Sequence, residues 1–234
     1  MKEISRGESF ADQLISNNVR IKAFFDEVIR SVLNKDYTKT KGLVNRVEEL
    51  QVDHNDMIIG LFQPLLYQIG SLWEHGVISI SQEHVFTNII QSAIDNLYIH
   101  NPQLTQYLNS STPKVLLTCV NGNHHTIGIR ILEFYLAMKR IPVLTVLPSI
   151  PNMEIISLIK EYKLKTIGLS ISLPYHLSDV LTFYEQLNQN MDLQEKPGII
   201  IGGFPVRRGL KLPAEIDATL CNDFKIFSDH VLTK

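Results

Sequence analysis

Two adjacent histidines, His124 and His125, stand where the apolar run Val115–Val120 gives way to Asn121-Gly122-Asn123 and then to an amphipathic segment. Imidazole binds a metal in its neutral form. Just ahead of a helix, the positive end of the helix dipole disfavours the imidazolium. Gly122 and Gly128 bracket the pair and allow close backbone approach to a bulky ligand. Two solvated loop histidines are the plain alternative, since histidine is often exposed. Ser170-Ile171-Ser172 and Gly202-Gly203 close two later apolar runs. Small, hydrogen-bonding or backbone-exposing residues thus recur at three strand ends. That combination suits a large, flat or elongated ligand lying against the carboxyl edge of a sheet. No G-x-G-x-x-G fingerprint is present, which argues against a dinucleotide.

A second cluster lies in SLWEHGVISISQEH, residues 71–84. Trp73 continues the apolar stripe of Phe62, Leu66 and Ile69. Glu83 precedes Phe86 and Ile90 at helical spacing and so shares their inward face, where a carboxylate needs a partner. A boundary glutamate in a first helical turn, favoured by the dipole, explains it equally well. His75 and His84 flank this segment, where a lone histidine is by default a surface or cap residue.

The elements that position these residues follow from periodicity. Ile21, Phe24, Phe25, Val28, Ile29 and Val32 recur at helical spacing, as do Leu43, Val47, Leu50 and Val52. Further helical stripes run from Ile58 to Trp73 and from Val85 to Tyr98, with Ser79 and Gln82 as a capping box for the last. Four such segments predict an antiparallel four-helix bundle. A Pro-, Asn- and Ser-containing stretch, residues 100–113, marks a boundary. Beyond it, apolar runs at 115–120, 143–147, 166–171 and 198–202 alternate with helical patterns, and a weaker fifth lies near 216–220. Continuous apolar strands separated by helices predict a doubly wound, flavodoxin-like or Rossmann-like α/β domain with a five-stranded parallel sheet. Such sheets bind ligands at the carboxyl ends of the strands. The expected divisions are an N-terminal arm at 1–19, a helical bundle at 20–105, a linker at 106–113 and an α/β domain at 114–234.

The 234 residues carry 22 Lys and Arg against 24 Asp and Glu, a net charge of -2. Nothing in that balance draws the chain to nucleic acid or an anionic membrane. Two cysteines, Cys119 and Cys221, supply no disulfide framework. No apolar run is long enough for a membrane span, and the chain is expected to be cytoplasmic. No nucleophile elbow, zinc-ligand spacing or Walker loop is present.

The segment Ile69-Gly70-x-Leu72-Trp73-x-x-Gly76-x-Ile78-Ser79-x-x-x-Glu83-His84 resembles the helical module of cobalamin-binding regulators, the CarH-type photoreceptors. The second half resembles the cobalamin-binding domain shared by methionine synthase and corrinoid methyltransferase proteins. The motif D/E-x-H-x-x-G reads Asn123-His124-His125-Thr126-Ile127-Gly128 here. S-x-L reads Ser170-Ile171-Ser172, with Leu173 one position late, and G-G reads Gly202-Gly203. The likeness covers about residue 20 to the C-terminus.

This resemblance implies that His125 ligates cobalt from below, displacing the cofactor's dimethylbenzimidazole. The nucleotide tail would then lie beside Ser170, Ser172 and Gly202-Gly203. His124 would turn to solvent or to the corrin edge. Trp73 would cap the upper face, with Glu83 and His84 at the upper ligand. Three departures stand out. Asn123 replaces the acidic residue, and an amide lends the histidine less basicity. Glu74 stands where light-sensing relatives place a histidine after the tryptophan, so His75, one position on, is a weaker candidate for an upper ligand. Ser172 replaces an apolar residue.

The resemblance thus implies a cobalamin sensor, light-responsive through adenosylcobalamin, that regulates a protein partner and is not itself an enzyme. The N-terminal arm is expected to be too short for a MerR-type DNA-binding domain, so a stand-alone antirepressor of the AerR type is the nearest precedent. Methyl- or hydroxocobalamin is an alternative cofactor, and a homo-oligomer is compatible with this reading. A corrinoid methyl carrier is the second function, and a haem sensor using His124, His125 and His75 the third.

Overall fold

The computed structural model describes residues 18–233. The chain divides between Ile99 and His100 into two compact units.

The first unit is helical. Helix α1 (Val19–Leu33) starts at Asn18, whose side chain accepts from the Arg20 and Ile21 amides, an N-cap of the ordinary kind. It buries Ile21, Phe24, Val28 and Val32, the expected stripe. Helix α2 (Tyr37–Asn45) is capped by Asp36. It is tied to α1 by a buried hydrogen bond between Ser31 and Thr40, 2.8 Å. The periodicity from Leu43 to Val52 predicts one helix, but α2 stops at Asn45. A 3-10 turn over Val47–Leu50 takes its place, ending at Gln51 in the left-handed conformation. Val47 stays buried, so the turn keeps the apolar spacing while abandoning the α-helical hydrogen bonds.

Next come α3 (His54–Met57), a π turn (Ile58–Phe62) and α4 (Gln63–Glu74), which follow one another without a break. Helix α5 (Ile80–His100) opens on the predicted capping box: the Ser79 amide donates to Gln82 Oε1 at 3.1 Å, and the Gln82 amide donates to Ser79 Oγ at 3.3 Å. Gln82 is buried, and its Nε2 donates to the Val32 carbonyl at the end of α1.

The second unit opens with α6 (Pro102–Ser110), within the Pro- and Asn-containing stretch; Pro102 occupies its first turn, where no amide donor is needed. Tyr107 donates to the Arg140 carbonyl at 2.6 Å, fastening α6 to the end of the next helix. There follow β1 (Val115–Cys119), α7 (Ile127–Met138), β2 (Val143–Val146), α8 (Asn152–Tyr162), β3 (Thr166–Ser170), a 3-10 turn (Pro174–His176), α9 (Leu177–Asn190), β4 (Gly198–Gly202), α10 (Phe204–Arg207), β5 (Thr219–Leu220) and α11 (Phe224–Leu232).

All strand pairs are parallel, in the order β2-β1-β3-β4-β5. This is the doubly wound sheet that the sequence predicts, with its topological switch between β1 and β3. Alternate strand residues serve opposite faces. Leu116, Ile167, Leu169, Ile199 and Ile201 pack with Ile155, Ile156 and Ile159 of α8 and Val180, Phe183 and Leu187 of α9. Gly168 looks the other way: a Cβ there would meet Leu117 at 2.6 Å and the Phe227 ring of α11 at 3.0 Å. Among the described residues no helix is long and apolar enough to cross a membrane.

Candidate functional site

The β1 and β3 ends meet at the switch point, and Asn123 binds them together. It is wholly buried. Its Nδ2 donates to the Ser170 carbonyl at 2.9 Å. Its Oδ1 accepts from the His125 amide at 3.0 Å and from the Ser172 hydroxyl at 2.9 Å. Asn123, His125, Ser170 and Ser172, singled out by type and order in the sequence, therefore form one hydrogen-bonded cluster. The amide engages the backbone of His125, so the histidine is held by its main chain while its ring stands exposed.

His124 is also exposed. Gly122 adopts φ +75, the left-handed conformation that lets the chain turn out of β1. Gly128 lies in the first turn of α7, and a Cβ built there would meet nothing within 4 Å. Beneath the loop, Cys119 approaches the His125 carbonyl with its Sγ at 3.8 Å. Burial pushes its thiol up to about 12.

The Gly202-Gly203 turn meets the same edge from β4. The Ile171 amide donates to the Gly202 carbonyl at 3.0 Å. Gly203 has φ +118, and a Cβ there would lie 1.9 Å from the Ile171 carbonyl oxygen. This glycine is required by the fold itself, because β3's exit passes directly over it.

His176 belongs to this edge, although the sequence reading stops short of it. It is buried, and its Nδ1 accepts from the Ser172 and Leu173 amides at 3.2 and 3.3 Å. Burial lowers its pKa; the nearby Asp179 raises it, and His125 adds a smaller lowering. The one sequence signal was Pro174, which opens a turn directly after β3 and brings a histidine back to the strand end.

In the helical unit, Leu66, Gly70 and Trp73 lie along one stripe of α4 and remain half-buried, while Leu65 and Ile69 face the core. Gly70 has open space where a side chain would be. Glu83 finds its partners on its own helix: Thr87 donates to Oε1 at 2.8 Å, and His84 Nδ1 lies 2.5 Å from Oε2. His84 is otherwise exposed. His75 is exposed, with Nδ1 2.7 Å from the Ser71 carbonyl, and so caps the C-terminal turn of α4. Among the described residues no group of three or more His, Cys, Asp or Glu side chains is arranged to hold a metal ion.

Residues 24–98 match the B12 binding domain family. The match falls on the helical unit and points to a corrinoid as the cofactor. Among solved structures, the monomethylamine corrinoid protein of Methanosarcina barkeri superposes with a TM-score of 0.71 at 16% identity, covering 91% of this chain and 98% of that one. That likeness shows the two-part fold. A cobalamin-binding protein from Desulfitobacterium hafniense gives 0.44 at 20% identity, covering 95% of this chain and 94% of that one. The methanol:cobalamin methyltransferase complex of Methanosarcina barkeri gives 0.43 at 15% identity, covering 100% and 87%. No curated protein matches the sequence.

Proposed function

We propose that the protein binds a corrinoid with His125 as the lower cobalt ligand and carries a methyl group for a partner methyltransferase. The observation that supports it most is the switch-point loop. An exposed imidazole stands on a backbone anchored by a buried amide, beside a glycine facing open space, in a chain whose helical unit matches the B12 binding domain family. The donor set fits this group better than a free metal ion. A corrinoid would bring most of its own cobalt ligands, so one protein imidazole would suffice. When bound, the group supplies a cobalt centre that accepts and releases a methyl group.

The chain's own residues would hold and orient it. His125 would supply a nitrogen ligand to the cobalt. Gly128 leaves room for the ring's edge. Ser170, Ser172 and the Gly202-Gly203 turn border the region for the nucleotide tail. In the helical unit, the family resemblance assigns the upper face to Trp73, with Glu83 and His84 at the upper ligand. The Methanosarcina barkeri structural relative is named a monomethylamine corrinoid protein, and the carrier role goes one step beyond that name. Reduced, corrinoid-loaded protein incubated with methylamines, methanol or other methyl donors and their methyltransferases is expected to take up a methyl group. Absence of uptake from every donor, with corrinoid bound, would overturn the carrier role.

A light-responsive sensor regulating a protein partner is the second reading. Half-buried Trp73 and the paired Glu83 and His84 favour it. Their mutual hydrogen bonds weigh against it, since an upper ligand would have to compete for a carboxylate already shared by Thr87 and His84. Adenosylcobalamin-loaded protein whose spectrum and oligomeric state change on illumination would favour the sensor; unchanged behaviour would eliminate it.

A further inference from the structure

We propose that His176 is a positioning residue for the His125 ligand, acting through Ser172 and Asn123. This rests on the corrinoid reading above for its functional consequence, while its structural part stands on hydrogen bonds alone.

The Ile171 amide makes the final ladder bond at the end of β3, to Gly202. The next two amides, Ser172 and Leu173, have left the sheet and are partly shielded from water, and such amides need an acceptor. The His176 ring supplies it, folding back from the turn that Pro174 opens. An imidazole nitrogen that accepts from two amides carries no proton. The His176 ring is therefore neutral, with its hydrogen on Nε2. Its burial at 2% exposure contrasts with its neighbour Tyr175 at 66%, so the ring is drawn inward while the adjacent aromatic is left outside.

Fixing the Ser172 amide aims the Ser172 hydroxyl at Asn123 Oδ1, the same atom that accepts from the His125 amide. The Ser170 carbonyl takes the other end of the Asn123 amide. Contacts therefore run without a gap from the His176 ring to Ser172, to Asn123 and to the His125 backbone. An N-terminal turn of α9 alone would need no such continuation to a different strand. The arrangement does for the ligand's main chain what an outer-shell carboxylate does for a ligand's ring: it restricts where the imidazole can stand.

The test uses the full chain and two readouts. The first is amide hydrogen exchange at His125 in cofactor-free protein. The second is the axial-nitrogen signature in the Co(II) electron paramagnetic resonance spectrum of the corrinoid-loaded protein, together with hydroxocobalamin affinity. Loss of outer-shell partners typically weakens metal binding roughly 10–100-fold. His176→Ala is expected to speed His125 exchange and weaken affinity by about tenfold, with a diminished histidine signature. His176→Asn, whose side-chain oxygen can accept from the same amides, is expected to restore all three. Ser172→Ala, which cuts a single link and leaves His176 in place, is expected to repeat the His176→Ala effects and decides the matter should that variant fail to fold. Unchanged exchange and spectrum in Ser172→Ala, or no restoration by His176→Asn, would overturn the proposal. If the wild-type chain takes up no corrinoid, the functional reading fails, and exchange at His125 still decides the positioning role.

Discussion

Asn123 reads from the sequence as a weakened copy of an acidic residue, and the structure gives the amide its own reason to be there. Its Nδ2 must donate to the Ser170 carbonyl while its Oδ1 accepts twice. A carboxylate can accept but cannot donate when ionised. Asn123→Asp would set an oxygen against the Ser170 carbonyl, so it is expected to destabilise the protein by about 1–3 kcal/mol. That loss should be greatest near neutral pH and shrink on acidification, because the buried acid regains a donor when protonated. Urea unfolding at several pH values checks this; equal or greater stability at neutral pH would refute it. The glycines give a paired prediction. Gly203→Ala should cost about 2 kcal/mol or more, since both its φ and the Ile171 carbonyl forbid a Cβ. Gly128→Ala sits at a helical position facing open space, so it should raise stability by about 0.5–1 kcal/mol. If a corrinoid edge occupies that space, the same change should lower corrinoid affinity. Unaltered affinity would remove Gly128 from the site.

At the scale of elements, strands and helix stripes were legible because burial on both faces imposes continuous apolar runs, and burial on one face imposes helical spacing. The capping box at Ser79 and Gln82 was legible because it is local chemistry. The break after Asn45 was not, since Leu43, Val47 and Leu50 keep apolar spacing through a 3-10 turn as well as through a helix. Helix α6 was hidden by Pro102 and the surrounding Asn and Ser, which mark a helix start as readily as a loop. His176 was hidden because its role depends on a turn bringing two backbone amides to its ring. Sequence spacing does not encode that geometry. Helix ends also carry untapped stability. Lys163 closes α8 with φ 51, a left-handed conformation that costs a side-chain-bearing residue about 1–2 kcal/mol. Lys163→Gly removes that strain but adds chain entropy to the unfolded state, leaving an expected gain of about 0.5 kcal/mol in the denaturation midpoint analysis. A lowered midpoint would show that the Lys163 side chain contributes more than its backbone strain costs.

For the molecule as a whole, a helical unit matching a B12 binding domain and a parallel α/β unit with a histidine loop at its switch point are joined in one chain. His125 is the proposed cobalt ligand that links the loop to the cofactor. Protein grown with 15N-histidine and loaded with unlabelled cobalamin in the Co(II) state tests it directly, because the axial nitrogen splits each cobalt line in the paramagnetic resonance spectrum. A protein imidazole gives doublets from 15N, whereas the cofactor's own dimethylbenzimidazole gives triplets from 14N. Doublets are expected in the wild-type protein, and their loss in His125→Ala. Triplets in the labelled wild type, or doublets that survive His125→Ala, would contradict it.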